Sequence, residues 1–99
     1  MLHFEWDAAK NERNIRIHGI DFADAAPIFD APMFTWADTR KAYGEARTVG
    51  LGLLIGRVMA FAFTVRGPDL VRWISVRKAN DRETKRYVAW VAQQNQQGQ

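Results

Sequence analysis

The chain contains no cysteine among its 99 residues, so neither a disulfide framework nor a thiolate metal site is possible. Histidine is scarce, with two residues, and no cluster of Asp, Glu and His has the spacing of metal ligands, so we expect no metal and no other cofactor. Glycine and arginine interrupt the apolar stretches far short of the roughly 20 residues that a membrane helix needs. The first residues lack the apolar core of a signal peptide. These absences predict a cytoplasmic protein that makes no membrane contact.

The composition that remains is typical of a globular domain. Hydrophobic residues make up 47% of the chain and charged residues 25%, which argues against disorder. This length suits a single modest core, so we expect one domain over residues 1–99, with 93–99 as a polar tail that frays. Lysine and arginine outnumber aspartate and glutamate by 14 to 11. The mild positive charge favours phosphate-bearing partners.

Hydrophobic patterning predicts an α+β fold. Strands are predicted over 2–6, 33–37, 46–55, 57–66 and 70–77, and helices over 8–18, over 21–29 and from Asn80 or Asp81 onward. Asp7 and Gly19 are of the residue types that begin and end a helix, and Pro27 lies where proline breaks or kinks the second one. Turn signals at Gly56 and at 67–69 predict an antiparallel meander. We expect two N-terminal helices packed on one face of this antiparallel or mixed sheet, and a C-terminal helix.

Alternation divides the meander into two predicted faces. The bulky face, expected under the helices, comprises Val49, Leu51, Leu53, Met59, Phe61, Phe63, Val65, Leu70, Ile74 and Val76. The opposite face is small or cationic and comprises Thr48, Gly50, Gly52, Ala60, Ala62, Thr64, Arg66, Trp73, Ser75 and Arg77. A strand of nucleic acid could lie on this cationic floor. The alternative is that the small residues admit the last helix or a second protomer, while the arginines form surface ion pairs worth little.

Short motifs over about eighty positions occur in the same order and with the same spacing as in one known family, which the chain therefore resembles. The motifs are Phe4-Glu5-Trp6-Asp7 with Lys10 and Asn14, His18-Gly19, Phe22, Ala26, Phe29-Asp30, Pro32, Tyr43-Gly44-Glu45 with Arg47, Gly56-Arg57, Thr64 with Arg66, and Arg72 through Ala79. They resemble the BrnT-type ribonuclease toxins of bacterial type II toxin-antitoxin systems, which have a fold similar to that of RelE toxins. Ile17 departs from the family, which usually has a basic residue there, and Val76 replaces its usual alanine.

The resemblance implies what this chain would do and with whom. It implies a RelE-like fold, cleavage of RNA, and neutralisation by a BrnA-like antitoxin of the ribbon-helix-helix type. It also implies that toxin and antitoxin together repress their own operon, so that operator DNA is contacted indirectly through the antitoxin.

RNA can be cut without a cofactor when its ribose 2′-OH attacks the adjacent phosphate, provided that side chains move protons and stabilise the added negative charge. Arg66 and Arg77 suit charge stabilisation, because a guanidinium binds phosphate bidentately and stays protonated. Glu45 is a candidate general base, with an ion pair to Arg47 or Arg40 as the alternative. Lys41 and Tyr43 could position the phosphate or stack on a base. We therefore predict a metal-independent endoribonuclease.

Further candidates each have a structural alternative. His18 is the side chain best suited to move a proton near neutral pH, but at the end of a helix it could equally bond the last carbonyls. Ser75 could hold the phosphate or bond across the sheet. Arg72 is a reserve cation whose alternative is a salt bridge to Asp7 or Asp69. The remaining candidates for RNA contact are Arg57, Thr64 and Lys78.

Two other functions fit the same residues. A non-catalytic module that binds nucleic acid or forms a complex would show salt-sensitive binding without cleavage. A degenerate toxin would bind its antitoxin with little activity. Trp36 and Trp73 fall where either packing or a partner could use them.

Overall fold

The elements follow one another along the chain in the order β-α-β-β-β-β-α. The computed structural model describes residues 1–40, 42 and 44–97. The helices are α1 (Ala8–His18) and α2 (Asp81–Gln97), and the strands are β1 (His3–Glu5), β2 (Phe34–Ala37), β3 (Thr48–Leu54), β4 (Arg57–Val65) and β5 (Leu70–Lys78). They form one sheet in the order β1-β5-β4-β3-β2, with β1 parallel to β5 and the other pairs antiparallel. The predicted α+β class and meander are confirmed.

The segment between α1 and β2 differs from the prediction. Instead of one helix over 21–29, it forms two 3₁₀ segments, Phe22–Asp24 and Ala26–Asp30. Pro27 has no amide hydrogen and therefore cannot extend a ladder of α-helical hydrogen bonds. Both segments still bury apolar side chains against the sheet.

The predicted ends of α1 are confirmed. The carboxylate of Asp7 accepts a hydrogen bond from the backbone N–H of Lys10 at 3.0 Å. Gly19 adopts a φ of 72°, and its N–H donates to the carbonyl of Ile15 at 2.8 Å. A residue without a Cβ takes this left-handed conformation at no steric cost, so the helix stops there.

Asn14 fastens α1 to the edge of β5. Its amide nitrogen donates to the carbonyl of Val76 at 2.8 Å, and its amide oxygen accepts from the N–H of Val76 at 3.1 Å. The same nitrogen donates to the carbonyl of Ile20 at 2.9 Å, and Asn14 is buried. The strand β1 pairs only with residues 70–72 of β5. Further along β5, the side chain of Asn14 makes the two backbone hydrogen bonds that a neighbouring strand would otherwise make. The anchor places α1 beside the middle of β5.

One face of the sheet carries an aromatic core. Its rings, with centroids 5.2 to 6.1 Å apart, belong to Phe4, Phe29, Phe61, Phe63 and Trp73. Trp73 is only 1% exposed, so its predicted place on the open face is wrong. The reason is a β-bulge: Trp73 lies opposite Phe63 and Ser75 lies opposite Ala62. Ile74 is thus an extra residue in β5, and it shifts the alternation of faces.

The faces of β3 are also reversed relative to the prediction. Leu51 lies opposite Ala60, on the side that α2 covers, whereas Gly50 and Gly52 face the aromatic core. A Cβ on Gly52 would lie 3.2 Å from the ring of Phe61. The glycines are therefore small because a large ring from β4 fills the space above them, and not because that face is open.

The helix α2 covers only part of the opposite face. Tyr87, Trp90 and Val91 pack against aliphatic residues of β3 and β4, and the hydroxyl of Tyr87 donates to the carbonyl of Pro32 at 2.7 Å. The rest of this face, towards the β4–β5 turn, is not covered by α2. Neither helix in the described ranges has the length and apolarity needed to span a membrane.

Candidate functional site

Four side chains lie in a row across the face of the sheet that α2 partly covers. Trp36 of β2 lies opposite Val49 of β3, Val49 opposite Ala62 of β4, and Ala62 opposite Ser75 of β5. Residues directly opposite one another in neighbouring strands point to the same face. We call these four residues the transverse row, because they form a floor that crosses the strands.

Two clefts adjoin the transverse row and share Ser75. The first, towards α2, has a volume of about 400 Å³, and the second, beside α1, has a volume of about 340 Å³. The charged residues of the first cleft are Arg40, Arg77 and Glu83. Lys10, Arg13 and Arg47 line the second, together with His18. Cationic groups therefore stand on both sides of a small, uncharged floor.

Arg77 is held by a bidentate ion pair. Its two terminal nitrogens donate to the carboxylate oxygens of Glu83 at 2.8 and 2.9 Å. Glu83 is itself fixed by a capping box, which confirms Asn80 as the residue that begins α2: the N–H of Asn80 donates to Glu83 at 3.0 Å, and the N–H of Glu83 donates to the Asn80 side chain at 2.8 Å. The hydrogen bonds between them raise the pKa of Arg77 and lower the pKa of Glu83. Arg77 is thus an oriented, permanent cation at the first cleft.

Glu45 lies between two arginines. Its carboxylate is 3.2 Å from a terminal nitrogen of Arg66 and 3.8 Å from Nε of Arg47. The pair with Arg47 is one of the two considered from the sequence, whereas the shorter pair with Arg66 was not predicted. The hydroxyl of Thr64 donates to the carbonyl of Ala46 at 2.7 Å. Because Thr64 is buried, this bond fastens the loop that carries Glu45 and Arg47 to β4.

The structure does not bring Arg66 and Arg77 together. Arg77 lies opposite Ala60, and Arg66 follows Ala60 by six residues along β4 and its end, a distance of about 20 Å at the rise of an extended strand. Each guanidinium pairs with a different carboxylate, Glu45 for Arg66 and Glu83 for Arg77. The two arginines are therefore placed to contact separate points of a polyanion rather than one phosphate.

His18 lies in the second cleft together with Ser75. It is the last residue of α1 and is half-buried. Lys10 and Arg13 share one face of α1, because residues three apart are neighbours on a helix, and Arg47 lines the same cleft. Sequence reasoning did not select these three cations as site residues. The helical spacing of Lys10 and Arg13 was visible, but only the anchoring of α1 to β5 shows which way that face of the helix points.

The other predicted residues lie elsewhere. Arg57 is exposed at the β3–β4 turn and Lys78 at the end of β5, and neither is among the described residues that line the two clefts. Arg72 forms an ion pair with Glu5 of β1, instead of the acidic residues considered from the sequence. Two predicted site residues lie outside the described residues: Lys41 and Tyr43.

The side chains around the transverse row can perform phosphate chemistry. Arg77 and Arg47 can stabilise negative charge, His18 or Glu45 can move a proton, and the Ser75 hydroxyl can donate a hydrogen bond. Within residues 1–40, 42 and 44–97, no three His, Asp or Glu side chains converge as metal ligands do.

Comparisons with known proteins identify the family of this chain. The family described as "Ribonuclease toxin, BrnT, of type II toxin-antitoxin system" matches residues 6–83. The crystal structure of the Brucella abortus ribonuclease toxin, BrnT, is similar with a TM-score of 0.64 and 29% sequence identity, and the match covers 82% of this chain and 100% of that one. A comparison with curated proteins found no match.

Proposed function

The chain belongs to the BrnT family of ribonuclease toxins from type II toxin-antitoxin systems, and from this premise we propose that it cleaves RNA at the transverse row without a metal ion. The observation that carries the proposal is the pair of clefts that meet at Ser75, one with Arg77 and the other with Arg47 and His18. A guanidinium on each side of a small floor suits a phosphate that gains negative charge in the transition state.

In the proposed reaction, the ribose 2′-oxygen attacks the adjacent phosphorus. The 2′-OH gives its proton to a general base as the bond from 2′-oxygen to phosphorus forms. The bond from phosphorus to the 5′-oxygen breaks, and that oxygen takes a proton from water or from a second side chain that acts as general acid, so the products end in a 2′,3′-cyclic phosphate and a 5′-OH. Arg77 stabilises the extra charge on the phosphoryl oxygens, and the Ser75 hydroxyl donates to one of them.

His18 is the first candidate for proton transfer and Glu45 the second. The position of His18 in the same cleft as Ser75 supports this order. The carboxylate of Glu45 is already engaged by Arg66 and Arg47, which suits it better to orient those cations.

The proposal extends to the partner and the setting of the toxin. A BrnA-like ribbon-helix-helix antitoxin would neutralise it, and the complex would repress their operon by binding operator DNA through the antitoxin. The four-strand antiparallel meander with α1 on its edge supports kinship with RelE toxins, and the absence of cysteine suits a reducing cytoplasm. We expect the single domain to span residues 1–99.

Incubation of the purified protein with a defined single-stranded RNA in EDTA tests this function. We expect cleavage that yields 2′,3′-cyclic phosphate termini and that a 2′-O-methyl group at the cleaved nucleotide abolishes, because the nucleophile is then blocked. Expression in bacteria should arrest growth unless the antitoxin is supplied. Intact RNA bound in a salt-sensitive manner would contradict the proposal and would favour a non-catalytic nucleic-acid-binding module.

A further inference from the structure

We propose that single-stranded RNA crosses the strands of the sheet along the transverse row, with an unpaired base stacked on Trp36 at one end and a phosphate bound by Lys10 and Arg13 at the other. The inference rests on the proposed function, because it takes RNA as the ligand. It adds a path and two contacts that the cleavage chemistry does not require.

The length of the row suits a short stretch of RNA. From β2 to β5 the row spans three strand spacings, about 14 Å, and α1 continues it beyond the edge of β5 through the Asn14 anchor. The first cleft includes Trp36 and Ser75, and the second runs from Ser75 to Lys10 and Arg13. The two clefts therefore meet at Ser75, and the proposed RNA path takes them one after the other.

Trp36 has the surroundings of a stacking platform. It lies on the edge strand β2, it is 38% exposed, and it lines the first cleft. The guanidinium of Arg86 stands over its ring, 4.7 Å from the centroid, and the ring of Phe34 lies 5.2 Å away. These neighbours hold the indole in place. An oriented, partly exposed indole beside a cationic cleft favours a base over an aliphatic side chain.

The cations of α1 differ from the arginines of the sheet. Arg66, Arg72 and Arg77 each form an ion pair with a carboxylate. In the described part of the chain, no carboxylate lies within salt-bridge distance of Lys10 or Arg13. Two adjacent cations without an internal counterion raise the local attraction for phosphate.

The geometry also selects single-stranded RNA over a duplex. Bases in a duplex are stacked on one another and paired, so a base can reach a protein ring only where the strand is unpaired. The row is a narrow floor between α1 and α2, which suits one strand with its phosphates towards α1.

The binding experiment uses a short single-stranded oligonucleotide with 2′-O-methyl sugars, which the protein cannot cleave by 2′-OH attack. Its affinity is measured by fluorescence anisotropy over a range of salt concentrations. We expect Trp36→Ala to weaken binding about 10-fold, the effect of losing one base–aromatic stack, and Trp36→Phe to restore most of it. The Lys10→Ala/Arg13→Ala protein should lower the slope of log affinity against log salt by about 0.7, for one lost phosphate contact. Arg16→Ala, which removes an exposed cation of α1 outside the cleft, should leave the slope unchanged.

The outcomes separate this inference from the proposed function. Unchanged affinity and salt slope in folded Trp36→Ala and Lys10→Ala/Arg13→Ala proteins would contradict the proposed RNA path. Cleavage of unmodified RNA by the wild-type protein would still support the proposed ribonuclease activity in that case. If the variants show the predicted loss of affinity and the lowered salt slope but the wild type cleaves no RNA, the proposed RNA path would be supported and the proposed ribonuclease activity contradicted. A Trp36→Ala protein that binds RNA normally but loses its antitoxin would assign Trp36 to the protein partner and overturn the RNA path.

Discussion

The two faces of the five-stranded sheet differ in what fills them. On one face the rings of Phe4, Phe29, Phe61, Phe63 and Trp73 form a continuous core under the 3₁₀ segments. On the other face, α2 packs over only part of the surface, and the remainder has a floor of small side chains between cations. The face with the aromatic core therefore stabilises the fold, whereas the partly covered face is available for binding.

The strand β5 contributes side chains to both the core face and the partly covered face. Trp73 and Val76 point into the core, and both are almost fully buried. Ser75 and Arg77 lie on the other face, opposite Ala62 and Ala60. A single bulge at Ile74 makes this division possible, because it lets Trp73 and Ser75 serve opposite faces although they are two residues apart.

The largest expected effect is on the core face. Trp73→Ala should reduce the free energy of unfolding by about 3–5 kcal/mol, because it removes the ring that contacts four other aromatic residues. Ser75→Ala, two residues away on the other face, should change it by no more than about 0.5 kcal/mol. Urea unfolding measures both. Equal losses of unfolding free energy in the two variants would contradict the division of roles between the two faces.

The anchor of α1 should have the next largest effect. Asn14→Ala leaves the buried N–H and carbonyl of Val76 without their partner, so the free energy of unfolding should fall by about 2–4 kcal/mol. Glu12→Ala, at an exposed position of the same helix, is the matched control and should change it by less than about 0.5 kcal/mol. An Asn14→Ala protein as stable as wild type would show that α1 is held to β5 by other contacts.

On the partly covered face, removal of a proton-transfer group should affect cleavage rather than stability. His18→Gln should lower the cleavage rate about 100-fold. Glu45→Gln should lower the rate less, because its proposed part is to orient Arg66 and Arg47. Single-turnover cleavage rates of the two folded variants decide this assignment. A larger loss in Glu45→Gln than in His18→Gln would transfer the role of base to Glu45.

The smallest effect concerns the pair that orients Arg77. The pKa of Glu83 is lowered in the folded protein, chiefly by the hydrogen bonds from Arg77. A lowered folded-state pKa contributes stability above the unfolded value of 4.5, and this contribution is lost as the pH falls through the folded value. Glu83→Gln should therefore be less stable than wild type at pH 7, by less than about 1 kcal/mol because the pair is partly exposed. The difference should shrink below pH 4.5; a difference that stays constant with pH would contradict the linkage.

Local features of the fold could be predicted from the sequence, whereas long-range pairings could not. Asp7 and Gly19 were identified as helix ends, and Asn80 or Asp81 as the start of the last helix, because capping depends on a few neighbouring residues. The faces of β3 and the place of Trp73 were predicted wrongly. Their orientation depends on a bulge in β5 and on the size of Phe61 across the sheet. The alternation of apolar and polar residues within one strand predicts neither of these features.

The location of the candidate residues could be predicted only in part. Arg77, Ser75 and His18 were selected as chemical groups, and the structure places all three at the two clefts. The basic side of α1 was not selected, because the spacing of Lys10 and Arg13 does not say which surface the helix faces. That information comes from the buried bonds of Asn14, which join residues 62 positions apart in the chain.

The rate of RNA cleavage in EDTA by Arg77→Ala, measured beside the wild type where both are fully folded, tests most directly whether the partly covered face is the active one. We predict a fall of about 100-fold or more, because the oriented guanidinium that stabilises the transition-state charge is lost, and little change in the Arg16→Ala control. Equal cleavage by Arg77→Ala and wild-type protein would contradict the assignment of the reaction to this face.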